Sequence, residues 1–167
     1  MLDLCCSILI TGKNMPQLEL KIPPLLLVLL FAVAMWLLSS AVPQLSFPLP
    51  GKTLLSIVLL VLGGVTALFG VLAFHRANTT VDPRNPQKSA TLVVNGIYRV
   101  SRNPMYLGFL LSLLALACYL ANLAAFVCAF LFVVYMNRFQ IEPEERWMAE
   151  KFSEHYQAYC TRVRRWL

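Results

Sequence analysis

Charge disappears from the chain over long stretches, and those stretches set its architecture. Pro23 to Val42 is a 20-residue apolar span carrying Trp36 and no charge, long enough to cross the ~30 Å hydrocarbon core of a bilayer as a helix. Pro43 to Lys52 holds three prolines and a glycine and marks a short connection. A second span runs from Thr53 to Phe74, where Gly63, Gly64, Ala67 and Gly70 are small enough to let another helix approach closely. No strand precedes these glycines, so they read as packing positions and not as a phosphate loop.

Met105 to Asn137 is 33 residues without a charge. As one straight helix it would reach about 50 Å, well past the core thickness. A hairpin is therefore predicted, turning at Asn122, the only polar residue near its midpoint. From Pro143 the period becomes that of an amphipathic helix, with Met148, Phe152, Tyr156, Tyr159 and Val163 on one face. Glu142, Glu144 and Glu145 occupy its first turn, where they suit the helix dipole, and Arg162, Arg164, Arg165 and Trp166 close it in the manner of an interfacial anchor.

The class is thus all-α and integral to a membrane. Transmembrane helices are expected at about residues 23–42, 53–74, 104–121 and 123–139, the last two forming a tight hairpin. A C-terminal interfacial helix follows at about 143–162, folding back over the hairpin mouth. Residues 23–167 form one domain. Residues 1–22 lack a signal-peptide pattern, are expected to be poorly ordered and receive no role, with Met15 a second candidate start. Leu92-Val93-Val94 is too short for an independent strand and is expected to pack against the helix ends.

Charge placement selects among the possible crossings. The polar loop from His75 to Arg102 carries Arg76, Arg84, Lys88, Arg99 and Arg102 against Asp82 alone, and six further Lys/Arg lie from Arg138 onward. Four crossings put both groups on one face and leave only Lys52 opposite, as the positive-inside rule requires. Both termini are therefore expected in the cytoplasm, in a multi-pass protein of a bacterial inner membrane.

Composition agrees: 59% of the 167 residues are hydrophobic and 13% charged, which excludes an ordinary soluble domain. The net charge of +6 sits in loops and tail instead of along a nucleic-acid-binding stripe, so anionic lipid headgroups are the expected partner. Cys5, Cys6, Cys118, Cys128 and Cys160 show no Cys-x-x-Cys spacing and no neighbouring histidine, so neither a metal site nor a disulfide framework is expected. The absence of Asp, Glu, Lys, Arg and His from the apolar runs 23–42, 53–74 and 105–137 disfavours an ion or proton transporter.

Candidate chemistry collects where the basic loop enters the hairpin, at Asn95 to Gly108. Asn103 suits a helix N-cap and Pro104 the first helical position. The uncapped amides of that helix end, with Arg99 and Arg102 just upstream, suit a carboxylate or phosphate. Tyr98 and Tyr106 flank it. The hairpin brings this segment, Arg138 with Gln140, and Glu142 to Glu145 to one face.

Gly-x-Tyr-Arg-x-x-Arg-Asn-Pro-x-Tyr-x-Gly, followed by Glu-Glu and by Phe-x-x-x-Tyr-x-x-Tyr, resembles the integral-membrane isoprenylcysteine carboxyl methyltransferase and phospholipid methyltransferase families over roughly residues 60 to 167. The resemblance implies S-adenosylmethionine as cofactor, held at the cytoplasmic end of the hairpin by Ala90, Thr91, Leu92, Val93, Tyr98, Asn103, Pro104, Met105, Tyr106 and Glu144, and a lipophilic acceptor entering from the bilayer. Arg99 and Gln140 are the expected acceptor contacts, and Arg138 and Glu145 the expected catalytic residues, Glu145 as the base if the acceptor is an amine. Many members have His where Ala90 and Asn103 stand, and the carboxyl methyltransferases have Arg where Gln140 stands. The acceptor is thus left open between a carboxylate and an amine. Two other classes compete: a non-enzymatic scaffold binding anionic lipid or a partner helix, and a nicotinamide-dependent membrane reductase.

Overall fold

The computed structural model describes residues 19–76 and 92–167. Among them the chain is helical, with no strand and one isolated bridge between Ser46 and Asn122. Helix α1 is Pro24–Ala41, α2 Lys52–Arg76, α3 Pro104–Leu120, α4 Leu123–Met136 and α5 Glu142–Arg162. A 3-10 turn at Pro43–Leu45 lies between α1 and α2, another at Gly96–Arg99 precedes α3, and a π-turn at Asn137–Ile141 joins α4 to α5. Three helical runs are long and apolar enough to cross a membrane: α1, α2 and the continuous run Leu123–Arg162, while α3 is a shorter apolar helix. Leu25, Leu54 and Phe130 are 70%, 69% and 66% exposed. Such outward-facing apolar surface is expected of a protein solvated by lipid and not by water. This is a membrane protein.

The glycines of α2 are packing positions, as expected, with one exception. A Cβ on Gly63 would lie 2.7 Å from the Gly108 carbonyl oxygen, one on Gly108 would lie 2.6 Å from the Gly63 carbonyl oxygen, and one on Gly70 would meet the Met105 side chain at 2.6 Å. Helices α2 and α3 therefore touch backbone to backbone, which dispersion favours where water supplies no drive for association. Gly64, one residue round the helix, has nothing within 4 Å and takes no part. Leu27, Met35, Leu113, Ala117, Ala125, Phe132 and Met136 fill the centre between α1, α3 and α4. Cys118 and Cys128 are buried and free, serving as small apolar filler.

The hairpin turns at Asn122. Ala121 takes the left-handed conformation (φ 48°), and the Asn122 side chain caps α4 by accepting from the Ala124 amide at 2.9 Å. Its amide nitrogen donates to the Val42 carbonyl and the Ser46 hydroxyl, both at 3.0 Å, tying the turn to the α1–α2 connection. Asn122 is fully buried. Asn122→Ala loses a cap and strands two acceptors, and is expected to cost about 2 to 3 kcal/mol, read as a lower melting temperature in detergent. A shift no larger than that of an exposed control such as Ser40→Ala would contradict this.

Two features of the structure were not foreseen in the sequence. The tail does not start afresh at Pro143, because the helix runs on from α4 through the π-turn, and Pro143 is tolerated near the beginning of α5 where the wide turn has already loosened the ladder. The backbone breaks instead at Ser153 (φ 40°, ψ −114°). The N-terminal segment is also docked where it is described. The Leu20 amide donates to the Phe139 carbonyl at 3.2 Å, Gln140 Nε2 donates to the Ile22 carbonyl at 2.8 Å, and Glu19 pairs with Arg146 at 2.5 Å and Arg138 at 3.7 Å. A π-turn can leave a carbonyl that an α-helix would consume, and the Leu20 amide uses that of Phe139.

Candidate functional site

The seam before α3 is built as its sequence suggests, with one substitution of roles. Pro104 occupies the first helical position, and the Asn103 carbonyl accepts the first helical bond from Leu107 at 2.9 Å. The Asn103 side chain does not cap the helix, however. It donates to the Arg165 carbonyl at 3.1 Å, while its own amide is held by Ser101 Oγ at 3.1 Å. Among the described residues, the first turn of α3 has no side-chain cap from its N-cap position.

One turn on, Tyr106 is buried and its hydroxyl donates to Glu144 Oε1 at 2.5 Å. Residues 38 positions apart thus meet because the hairpin returns α4 beside α3 and the π-turn carries the chain onward in the same direction. Burial pushes the Glu144 carboxyl up to about 8, the Tyr106 hydrogen bond draws it partway back, and the neighbouring Glu145 charge raises it further. The Glu144 residue as a whole is half-buried. Tyr98 is buried in the turn before α3, its ring edge-on to Phe74 at 5.5 Å and its carbonyl accepting from the Tyr159 hydroxyl at 2.6 Å. Burial holds the Tyr98 phenol far above its usual range, with Tyr159 and Glu144 adding to it.

The Glu-Glu pair divides its labour. Glu145 is buried, and Arg165 grips it through Nε to Oε1 at 3.2 Å and Nη2 to Oε2 at 2.5 Å, while Arg102 Nη2 reaches Oε1 at 3.1 Å. Both oxygens face guanidiniums, an arrangement that suits joining elements better than accepting a proton. Arg102 also contacts the Cys160 sulfur.

The remaining expected residues fall elsewhere. Arg138 is about half exposed and pairs with Glu142 at 3.1 Å and with Glu19. Gln140 is buried against Ile22, and Arg99 is exposed. None of these three has a described contact with Tyr98, Tyr106 or Glu144. Leu92, with Val94, packs on the tail cluster of Tyr156, Tyr159 and Val163, as the apolar face of α5 requires. Ala90 and Thr91 lie outside the described residues.

Sequence reasoning missed the end of the chain. Arg165 and Trp166 read as a lipid anchor, yet the Trp166 indole donates to Asn137 Oδ1 at 3.0 Å and its ring packs on the central core, while the Arg102 amide donates to the Arg164 carbonyl at 3.0 Å. Of the three arginines, Arg162 and Arg164 are exposed. Nothing in a run of three arginines and a tryptophan distinguishes the member that turns inward.

A membrane-embedded helical bundle with a tyrosine–carboxylate pair at a helix start is the class of protein this defines. The phospholipid methyltransferase family profile matches residues 52–155, well over half the chain and all of the seam and α3, so the chain belongs to that family of membrane methyltransferases. It is also 43% identical over 63 residues to an uncharacterized protein of Haemophilus influenzae, covering 38% of this chain and all of that one. No solved structure matches.

Proposed function

We propose that the protein transfers a methyl group from S-adenosylmethionine to a lipophilic acceptor within a cytoplasmic membrane. The carrying observation is the Tyr106–Glu144 pair at the start of α3, where two separated family motifs meet. The residues present fit the cofactor's chemistry. A carboxyl held up to about 8 gains from a nearby cation, since a positive charge offsets the burial that keeps it protonated. The faces of Tyr98 and Tyr106 suit a sulfonium in the same way, and the first-turn amides of Met105 and Tyr106 suit a carboxylate. When bound, the cofactor supplies the methyl group. The chain's part is to position and to exclude water, with Glu144 and the tyrosines orienting the cation and the apolar walls of α2 and α3 admitting an acceptor from the bilayer. Four crossings with both termini cytoplasmic keep this site on the basic face.

The test is calorimetry on detergent-solubilised protein with S-adenosylmethionine and its demethylated product, followed by radiolabelled methyl transfer into a total lipid extract. Saturable binding and label in an organic-soluble product are expected. No binding at millimolar ligand overturns the reading.

A further inference from the structure

We propose that Glu145, with Arg102 and Arg165, is a latch that fixes the C-terminal strap across the start of α3, making Glu145 and Arg165 positioning residues of the site. Residues 163–166 leave α5 in extended form at Val163 (φ −126°, ψ 132°) and are then fastened at four points: Glu145 on the Arg165 guanidinium, Asn103 and Ser101 on the Arg165 carbonyl, the Arg102 amide on the Arg164 carbonyl, and Asn137 on the Trp166 indole. The strap spans the seam and the α4–α5 junction, the two segments that carry Tyr106 and Glu144. The buried carboxylate of Glu145 is what the strap cannot lose, because it takes both the Nε and the Nη2 of Arg165, and removing it takes that bidentate pair from a guanidinium in a water-poor place. Its neighbour Glu144 points to Tyr106, so adjacent residues serve the ligand and the latch separately. This inference rests on the proposed cofactor site for its positioning role, though the latch itself has an independent readout.

That readout is amide hydrogen exchange in the ligand-free protein over the peptide 98–106, which contains the Arg102 amide. Glu145→Gln and Arg165→Met are each expected to speed exchange there by about tenfold or more, while Arg165→Lys, which keeps the charge, retains most of the protection and shows that the fold survives at this position. Unchanged exchange in both disruptive variants overturns the latch. The second arm measures S-adenosylmethionine affinity by calorimetry. Both variants are expected to bind about tenfold more weakly, the double variant no worse than either single one because the two side chains act as a unit, with turnover at saturating cofactor within about twofold of wild type. Faster exchange with wild-type affinity makes the strap purely structural and overturns the positioning role. A turnover loss confined to Glu145→Gln makes Glu145 a base and does the same. If wild type binds no cofactor, the proposed function falls and the positioning role with it, while exchange still decides the latch.

Discussion

Glu144→Gln is expected to weaken S-adenosylmethionine binding by about 1.5 to 3 kcal/mol, tenfold or more, at pH 8, because it removes the charge and leaves the hydrogen bond to Tyr106 intact. A residue that only matched the helix dipole would cost at most about 1 kcal/mol of stability and no affinity. The raised carboxyl adds a pH signature. Below about 8 Glu144 holds a proton in the free protein, and a bound cation favours its loss. Affinity should therefore climb as pH rises from 6 to 8, by up to about tenfold per unit, and level off above. The demethylated product, whose sulfur is neutral, should show a weaker dependence, and Glu144→Gln should flatten the difference. Stability without ligand moves the opposite way. Since the folded value lies above the ordinary carboxyl value, ionisation disfavours the fold, and wild type loses stability as pH rises from about 4.5 to 8. The Gln variant should melt no lower than wild type at pH 8. Equal cofactor affinity for the two proteins at that pH would remove Glu144 from the site.

The other large effect belongs to the α2–α3 contact. A side chain at Gly108 would meet backbone and Ala67 at 2.6 to 2.9 Å, and neither can swing aside as a flexible side chain would. Gly108→Leu should destabilise by about 3 kcal/mol or more, enough to deplete folded protein on extraction. Gly64→Leu adds the same bulk one helix over in open space and should leave the melting temperature nearly unchanged. Similar losses in both variants would mean that the backbone contact does not hold α2 to α3. Because Gly108 lies half a turn below Tyr106, a surviving Gly108 variant should also bind cofactor poorly.

How far the sequence went depended on whether one local force dominated. The apolar helices, the turn at Asn122 and the apolar face of α5 follow from burial and periodicity alone, which single residues cannot easily override. Pro104 was legible for the same local reason. Asn103 was not, since capping its own helix and bonding the Arg165 carbonyl are both good uses of an amide, and only the tertiary position of the strap decides between them. Glu144 and Glu145 are adjacent acids with the same propensity, so their opposite fates come from the turn of about 100° between neighbours on α5, which aims one at Tyr106 and the other at Arg165. The π-turn left no mark at all. Pro143 argued for a boundary, and no pattern signals a helix that widens before a proline and continues.

That turn has a consequence for how this chain can change over generations. Each residue of an α-helix advances its face by about 100°, and Asn137–Ile141 absorbs one residue beyond the ordinary ladder. Losing or gaining a single position between Phe132 and Glu142 would swing both glutamates away from Tyr106 and Arg165 together, whatever their identities. The stretch is thus constrained by its count as well as by the residues that pack and bond inside it, whereas surface loops ordinarily tolerate changes of length.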